Sequence, residues 1–309
     1  VKSVAVRLGV IGAGRVFERL YRPALARVAQ LELVAACDVT PPEQALPPGV
    51  RFDASIEAMV GAGGLDAVAV LTPPRLHAEH AAKAIAAGLR VLVEKPVTMD
   101  LGELRNLLQV GTGGDLVPAF PRRYWPAYQA LGSNLRRLEL ETNPLDWGAR
   151  TAQAEHPAFD LLPHLADLAC LARGEAPVAV NGEQGESAAE ADLRFADGSS
   201  IRCRAAHGPA YREWFATTEG PRRVGPPGPA ASLRQRVRRE PAVDVLGMTR
   251  LLDHWASGDA GVPGAEDAWN SVAIVDAFWR SLESGKEEPV EGWSGEGVSR
   301  GGAAPRGDR

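Results

Sequence analysis

The sequence predicts an α/β protein: an N-terminal doubly wound parallel sheet, then an α+β domain built on a mostly antiparallel open sheet. Three observations predict it. Through the first 120 residues or so, short β-branched runs alternate with Ala/Leu-rich helical stretches. A glycine turn, Gly12-Ala13-Gly14, stands where the first run gives way to the first helical stretch. Beyond about residue 124, apolar–polar alternation and turn residues replace that rhythm. Strand, helix, strand at the first spacing means parallel pairing through right-handed crossovers.

The elements follow in order. Strands are expected at VRLGVIG (6–12), LELVAACD (31–38), LDAVAVLTP (65–73), LRVLVEKP (89–96) and GDLVPAF (114–120). Helices are expected between them, at 15–29, 55–64, 76–88 and 100–111. In the second part LRRLELET, PVAVNGEQ, AAEADLRFADGSSIRCRAAH and EWFATTEG read as strands, with a hairpin turn at Ala196–Ser200. Helices are expected at DLLPHLADLACLARG (160–174), VLGMTRLLDHWASG (245–258) and within 265–284. Trp269, Val272, Ala273, Asp276, Phe278 and Trp279 recur at helical spacing, which reads as core packed against the first domain. The domains expected are 1–122 and 123–293, with a polar, Gly-rich, disordered tail at 294–309.

Composition excludes several classes. The 309 residues are 45% hydrophobic, carry a net charge of −5, and have a pI near 5.8. That balance argues against wholesale binding to nucleic acid or an anionic membrane, both of which favour a basic face. The Arg-rich LRQRVRRE (233–240) is the exception and reads as a solvated segment. Cys37, Cys170 and Cys203 are scattered, with no His at ligand spacing, so neither a structural metal nor a disulfide framework is expected. With no signal-peptide or membrane-span pattern, a cytoplasmic protein is expected.

The chemistry concentrates at the strand ends. Gly12 and Gly14 let a turn close so that a pyrophosphate can approach a helix N-terminus; the third small position of that fingerprint holds Phe17. Asp38 lies where an acid bonds the adenosine ribose, with no arginine following, which favours NAD over NADP. As an alternative it is a turn residue. His77, after the third expected strand, either lines the cofactor cleft or packs at a helix start. Glu94-Lys95-Pro96 ends the fourth expected strand. Only four lysines stand against thirty arginines, so a lysine kept there argues for a compact, tunable ammonium. Asp160, His164 and Asp167 are spaced to share one helix face, with Asp160 near the N-cap and Pro163 in the first turn.

Together, GVIGAGRV, AACD, TPPRLHAEHAAKAIAAG, VLVEKPVTMD, PRRYWPAY, the Asp-x-x-x-His-x-x-Asp stretch and AEDAWNSVAIVDAFWRSLESGK resemble the glucose–fructose oxidoreductase/inositol dehydrogenase (Gfo/Idh/MocA) family of NAD(P)-dependent oxidoreductases. The resemblance runs in order over roughly residues 5 to 291. It implies a Rossmann domain joined to a domain whose open sheet forms a homodimer or homotetramer interface. It implies cofactor contacts from Gly12, Ala13, Gly14, Arg15, Val16, Asp38, Thr72, Pro73, Pro74, His77, Glu94, Lys95 and Pro96, with a cis Lys95-Pro96 bond. Lys95 would polarise the reacting oxygen, Asp160 would orient substrate or His164, and His164 would serve as acid/base. Arg122, Arg123 and Tyr124 are substrate candidates, with a structural role for the arginines left open. The chain departs from the pattern at Phe17, at Pro121, and at HPAFDLLPH, with Pro157, Leu162 and Pro163. The activity implied is hydride transfer between NAD(P) and a sugar, cyclitol or related hydroxy or keto compound. Alternatives are a biosynthetic ketoreductase or imine reductase, or a non-catalytic dinucleotide sensor.

Overall fold

The protein is described here from a computed structural model covering residues 5–111, 116–143, 156–185, 187–225, 241–259 and 261–295. The Arg-rich 233–240 and the tail from 296 lie outside the described residues. Six parallel strands form the first sheet: β1 (Val6–Ile11), β2 (Leu31–Cys37), β3 (Arg51–Asp53), β4 (Ala67–Val70), β5 (Arg90–Val93) and β6 (Leu116–Pro118). Their order is β3-β2-β1-β4-β5-β6, which reverses between β1 and β4. Edge strand β3 was not anticipated. Its three residues include Arg51 and Asp53, which pair with each other, so no apolar run marks it.

Strands β4 and β5 read as unbroken apolar runs because helices cover both sheet faces. Leu8, Val10, Ala67, Ala69 and Leu92 join one core, and Ile11, Val68, Val70, Val91 and Val93 the other. The covering helices are α1 (Arg22–Leu25), α2 (Ile56–Gly61), α3 (His77–Ala86) and α4 (Leu101–Val110). Ser55 and Asp100 cap α2 and α4 by accepting from the backbone N–H three residues on.

The second sheet has seven strands, in the order β12 (Gly220–Gly225), β11 (Arg212–Thr217), β7 (Leu135–Thr142), β10 (Ser200–His207), β9 (Ala188–Arg194), β8 (Ala179–Gln184) and β13 (Glu288–Pro289). Only β7 and β10 run parallel. The expected hairpin turn joins β9 to β10, with Gly198 at φ 83°. Beneath the sheet lie α5 (Pro157–Asp160), α6 (Leu162–Arg173) and the second half of α8 (Ala265–Ser284). The other face carries Arg137, Glu139, Glu190, Asp192, Arg202 and Arg204 in cross-strand and same-strand ion pairs.

The packing corrects two expectations. The long helix α8 serves both domains: Trp269, Val272 and Ala273 join the first domain's core, whereas Ile274, Ala277 and Phe278 join the second's. Helix α7 (Val243–Ser257) also returns to the first domain, where Met248, Leu251, Leu252 and Trp255 bury against the sheet.

Candidate active site

The glycine turn and the end of β4 meet at the point where strand order reverses, the crevice in which open α/β sheets bind ligands. Gly12 has φ 100°, and a Cβ there would lie 2.7 Å from the carbonyl carbon of Leu71 and 2.8 Å from Thr72 N. Only glycine fits this contact. A Cβ on Gly14, in contrast, would meet nothing within 4 Å, and Gly14 and Arg15 are exposed where the helix begins. Open space before a helix N-terminus suits a pyrophosphate. Asp38 accepts from Ala13 N at 2.7 Å, so one of its oxygens braces the glycine turn.

Phe17, at the third fingerprint position, is fully buried. The chain accommodates it by opening into a π-helical turn over Phe17–Tyr21, after Val16, so that Phe17 points into the core shared with α7. Four residues on, the Tyr21 hydroxyl donates to Glu94 at 2.9 Å. Burial pushes the Glu94 carboxyl up, opposed by the Lys95 charge and the Tyr21 hydrogen bond.

Thr72, Pro73 and Pro74 lead from β4 into a short 3-10 turn. His77 is buried, with Nε2 2.6 Å from Thr72 O and Nδ1 2.7 Å from Pro96 O, so it ties the two cleft loops together. Burial pushes its pKa down although both carbonyls favour a protonated ring. The Lys95-Pro96 bond is cis.

Lys95 reaches from the end of β5 to the second domain. Its Nζ donates to Asp160 Oδ1 at 2.6 Å and to Asp160 O at 2.5 Å. Asp160 Oδ2 lies 3.1 Å from His207 Nε2 at the end of β10. Burial works to raise the Asp160 carboxyl, but the Lys95 charge and the His207 and Lys95 hydrogen bonds hold it well below the carboxylate range. An ammonium has three N–H donors. Two are spent on Asp160, which leaves one for another oxygen.

The shared helix face of Asp160, His164 and Asp167 does not form as expected. Asp160 ends α5, Leu161 breaks at φ −113°, and α6 starts at Leu162. Pro163 gives no N–H and its ring crowds the carbonyl four residues back, so one continuous helix cannot run through. Asp167 turns away to Arg123. His164 stays near Asp160 but is 6% exposed, with Nδ1 unpartnered among the described residues. Burial, then the charges of Arg122 and Lys95, push its pKa well down, so the ring is neutral.

Arg122, Arg123 and Tyr124 follow β6 in a 3-10 turn. Arg122 Nε donates to fully buried Glu213 at 2.9 Å, and Tyr128 and Tyr211 donate to the same carboxylate. Arg123 bridges Asp167 and Asp267. Tyr124 is buried in the first domain's core beside His254. These geometries favour structural roles for the two arginines. His207 and Glu213 were missed because neither sits in a motif: each ends or begins an ordinary strand. Among the described residues no cluster of His, Cys, Asp or Glu is arranged to hold a metal, and no helix is long and apolar enough to cross a membrane.

Comparison with known proteins agrees with this architecture. Residues 6–112 match the family model of an oxidoreductase family with an NAD-binding Rossmann fold. Inositol 2-dehydrogenase from Rhizobium meliloti is 29% identical over 197 residues, 57% of this chain and 58% of that enzyme. This chain thus spans little more than half the length of that relative. UDP-N-acetylglucosamine 3-dehydrogenase from Acidithiobacillus ferrooxidans is 27% identical over 91% of this chain and 87% of its own. The fold superposes on scyllo-inositol dehydrogenase from Lactobacillus casei, solved with NAD(H) and scyllo-inositol, at a TM-score of 0.68; identity is 16%, covering 93% of this chain and 99% of that one.

Proposed function

We propose, from the match of residues 6–112 to the Gfo/Idh/MocA model of NAD-binding Rossmann-fold oxidoreductases, that the chain is a dehydrogenase of that family acting on a sugar, cyclitol or related polyhydroxy compound. The single observation that carries the proposal is Lys95, held across the domain junction by Asp160 with one N–H left for a substrate oxygen. NAD is favoured over NADP, because Asp38 would repel a 2′-phosphate and Val39 and Thr40 offer it no cation. Gly12, Ala13, Gly14, Arg15, Val16 and Asp38 would hold the dinucleotide's phosphates and ribose, and Thr72, Pro73, Pro74, Glu94 and Pro96 would line its nicotinamide end. Bound there, NAD supplies a carbon that accepts or returns a hydride.

The residues of the chain handle the proton. In oxidation the neutral His164 accepts the hydroxyl proton, while Lys95 directs its remaining N–H at the same oxygen. In reduction the ammonium stabilises the developing alkoxide. Asp160 keeps Lys95 in place rather than donating a proton, since its carboxyl stays ionised. The inositols and nucleotide sugars named for the relatives set the first substrate panel. A homodimer or homotetramer through the open sheet is part of the proposal, and light scattering tests it. A cytoplasmic location is tested by fractionation.

The test follows absorbance at the reduced-nicotinamide band as the protein, with NAD or NADP, meets inositols, sugars and nucleotide sugars, with Lys95→Ala in parallel. Turnover with wild type that Lys95→Ala loses, at retained cofactor affinity, supports the reading. A fully active Lys95→Ala sinks it.

A further inference from the structure

The histidine that the catalytic-site carboxylate touches is not His164. Asp160 divides its two oxygens between Lys95 Nζ, 2.6 Å from Oδ1, and His207 Nε2, 3.1 Å from Oδ2. An ionised carboxylate only accepts, so the proton in the second contact belongs to His207 Nε2. The two supports differ in stiffness. Asp160 closes a four-residue helix whose continuation is broken at Leu161, so its own element restrains it weakly. His207 ends an eight-residue strand with neighbours on both sides, its N–H bonded to Ser187 O at 2.9 Å and its side chain 7% exposed.

We propose that His207 is a positioning residue of this site: its Nε2–H fixes one oxygen of Asp160 and so keeps the other on the Lys95 ammonium. The role rests on the dehydrogenase reading for its purpose but not for its geometry. Without His207 the carboxylate is free to rotate, and Lys95 keeps only its contact with the Asp160 backbone carbonyl. His156, the N-cap of α5, faces the same region but spends its ring on Ala158 N and the Gln184 amide, so it does not replace His207. Glutamine at 207 can present an N–H at about the reach of Nε2; alanine and leucine cannot.

The experiment reads Lys95 directly. With only four lysines in the chain, peptide-resolved mass spectrometry follows acylation of Lys95 by acetic anhydride, using Lys83 as the internal reference. His207→Ala is expected to speed Lys95 acylation about fivefold relative to Lys83, the effect of weakening one charge-assisted hydrogen bond network. Asp160→Asn should speed it more, and His207→Gln should return it toward wild type. If His207→Ala does not fold, His207→Leu takes its place. In turnover, His207→Ala is expected to lower kcat about tenfold with unchanged cofactor affinity, with His207→Gln restoring most of it. Lys95 acylation equal in wild type and the donor-less variant overturns the proposal whatever the turnover. The expected acylation pattern in a wild type that turns over no panel substrate supports the positioning role and counts against the dehydrogenase reading.

Discussion

Alanine at Gly12 and alanine at Gly14 should separate what the glycine turn does for folding from what it does for binding. At Gly12 the new methyl would sit 2.7 Å from Leu71 C and 2.8 Å from both Leu71 O and Thr72 N, all backbone atoms, at φ 100°. The left-handed backbone costs an L-residue ~1–2 kcal/mol. Relieving the overlap costs a further ~1–3 kcal/mol, because a strand end rather than a flexible side chain must move. A loss of ~2–5 kcal/mol lowers Tm by about 3–8 °C in a chain of this size. At Gly14 the methyl meets nothing within 4 Å, so stability should hold. The methyl would instead occupy the approach to the helix N-terminus, and dinucleotide affinity should fall about tenfold, or ~1.4 kcal/mol. Thermal unfolding and titration of NADH fluorescence measure the two effects. A Gly12→Ala protein within about 2 °C of wild type would refute the close approach. Unchanged NADH affinity in Gly14→Ala would refute the claim that this space is kept for the cofactor.

Further outcomes follow from the buried residues. Phe17→Ala should cost ~3–5 kcal/mol in denaturant unfolding, since Phe17 is a core residue and not a misplaced glycine; a near-neutral result would overturn that. Glu213→Ala strands Arg122 in the interior and should cost ~3–5 kcal/mol, with Glu213→Gln milder because it keeps partners for Tyr128 and Tyr211. Chemical denaturation that found the two variants equal would show that the charge is immaterial. Burial, against the pull of Arg123, pushes the Asp167 carboxyl up to about 6 from an ordinary 3.8. The folded state therefore binds this proton more tightly than the unfolded one, and stability from this group is lost as pH rises from about 4 to about 6. Wild-type stability relative to Asp167→Asn should fall across that window, and a flat difference would contradict it.

The first domain was legible in the sequence because its signals are local. Each parallel strand buried on both faces is an unbroken apolar run, the glycine turn follows β1 directly, and Glu94-Lys95-Pro96 closes β5. Helix α8 was visible from its periodicity, but which core its two halves would join was not: that depends on the domain junction it crosses. Lys95 announced itself by its rarity and place, whereas its partner Asp160 lies 65 residues further on, in α5, and that partner's own support, His207, stands at the end of β10. No local pattern marks His207, whose neighbours are those of any strand end. Spacing alone put Asp160, His164 and Asp167 on one face; Pro163 and the pull of Arg123 parted them. What the sequence by itself determined is the order of elements and the cofactor-binding edge, since both arise from contacts between near residues. Only the tertiary structure decided which histidine meets Asp160 and which arginines are spent on buried carboxylates, because those pairings are set by how two sheets and a shared helix converge.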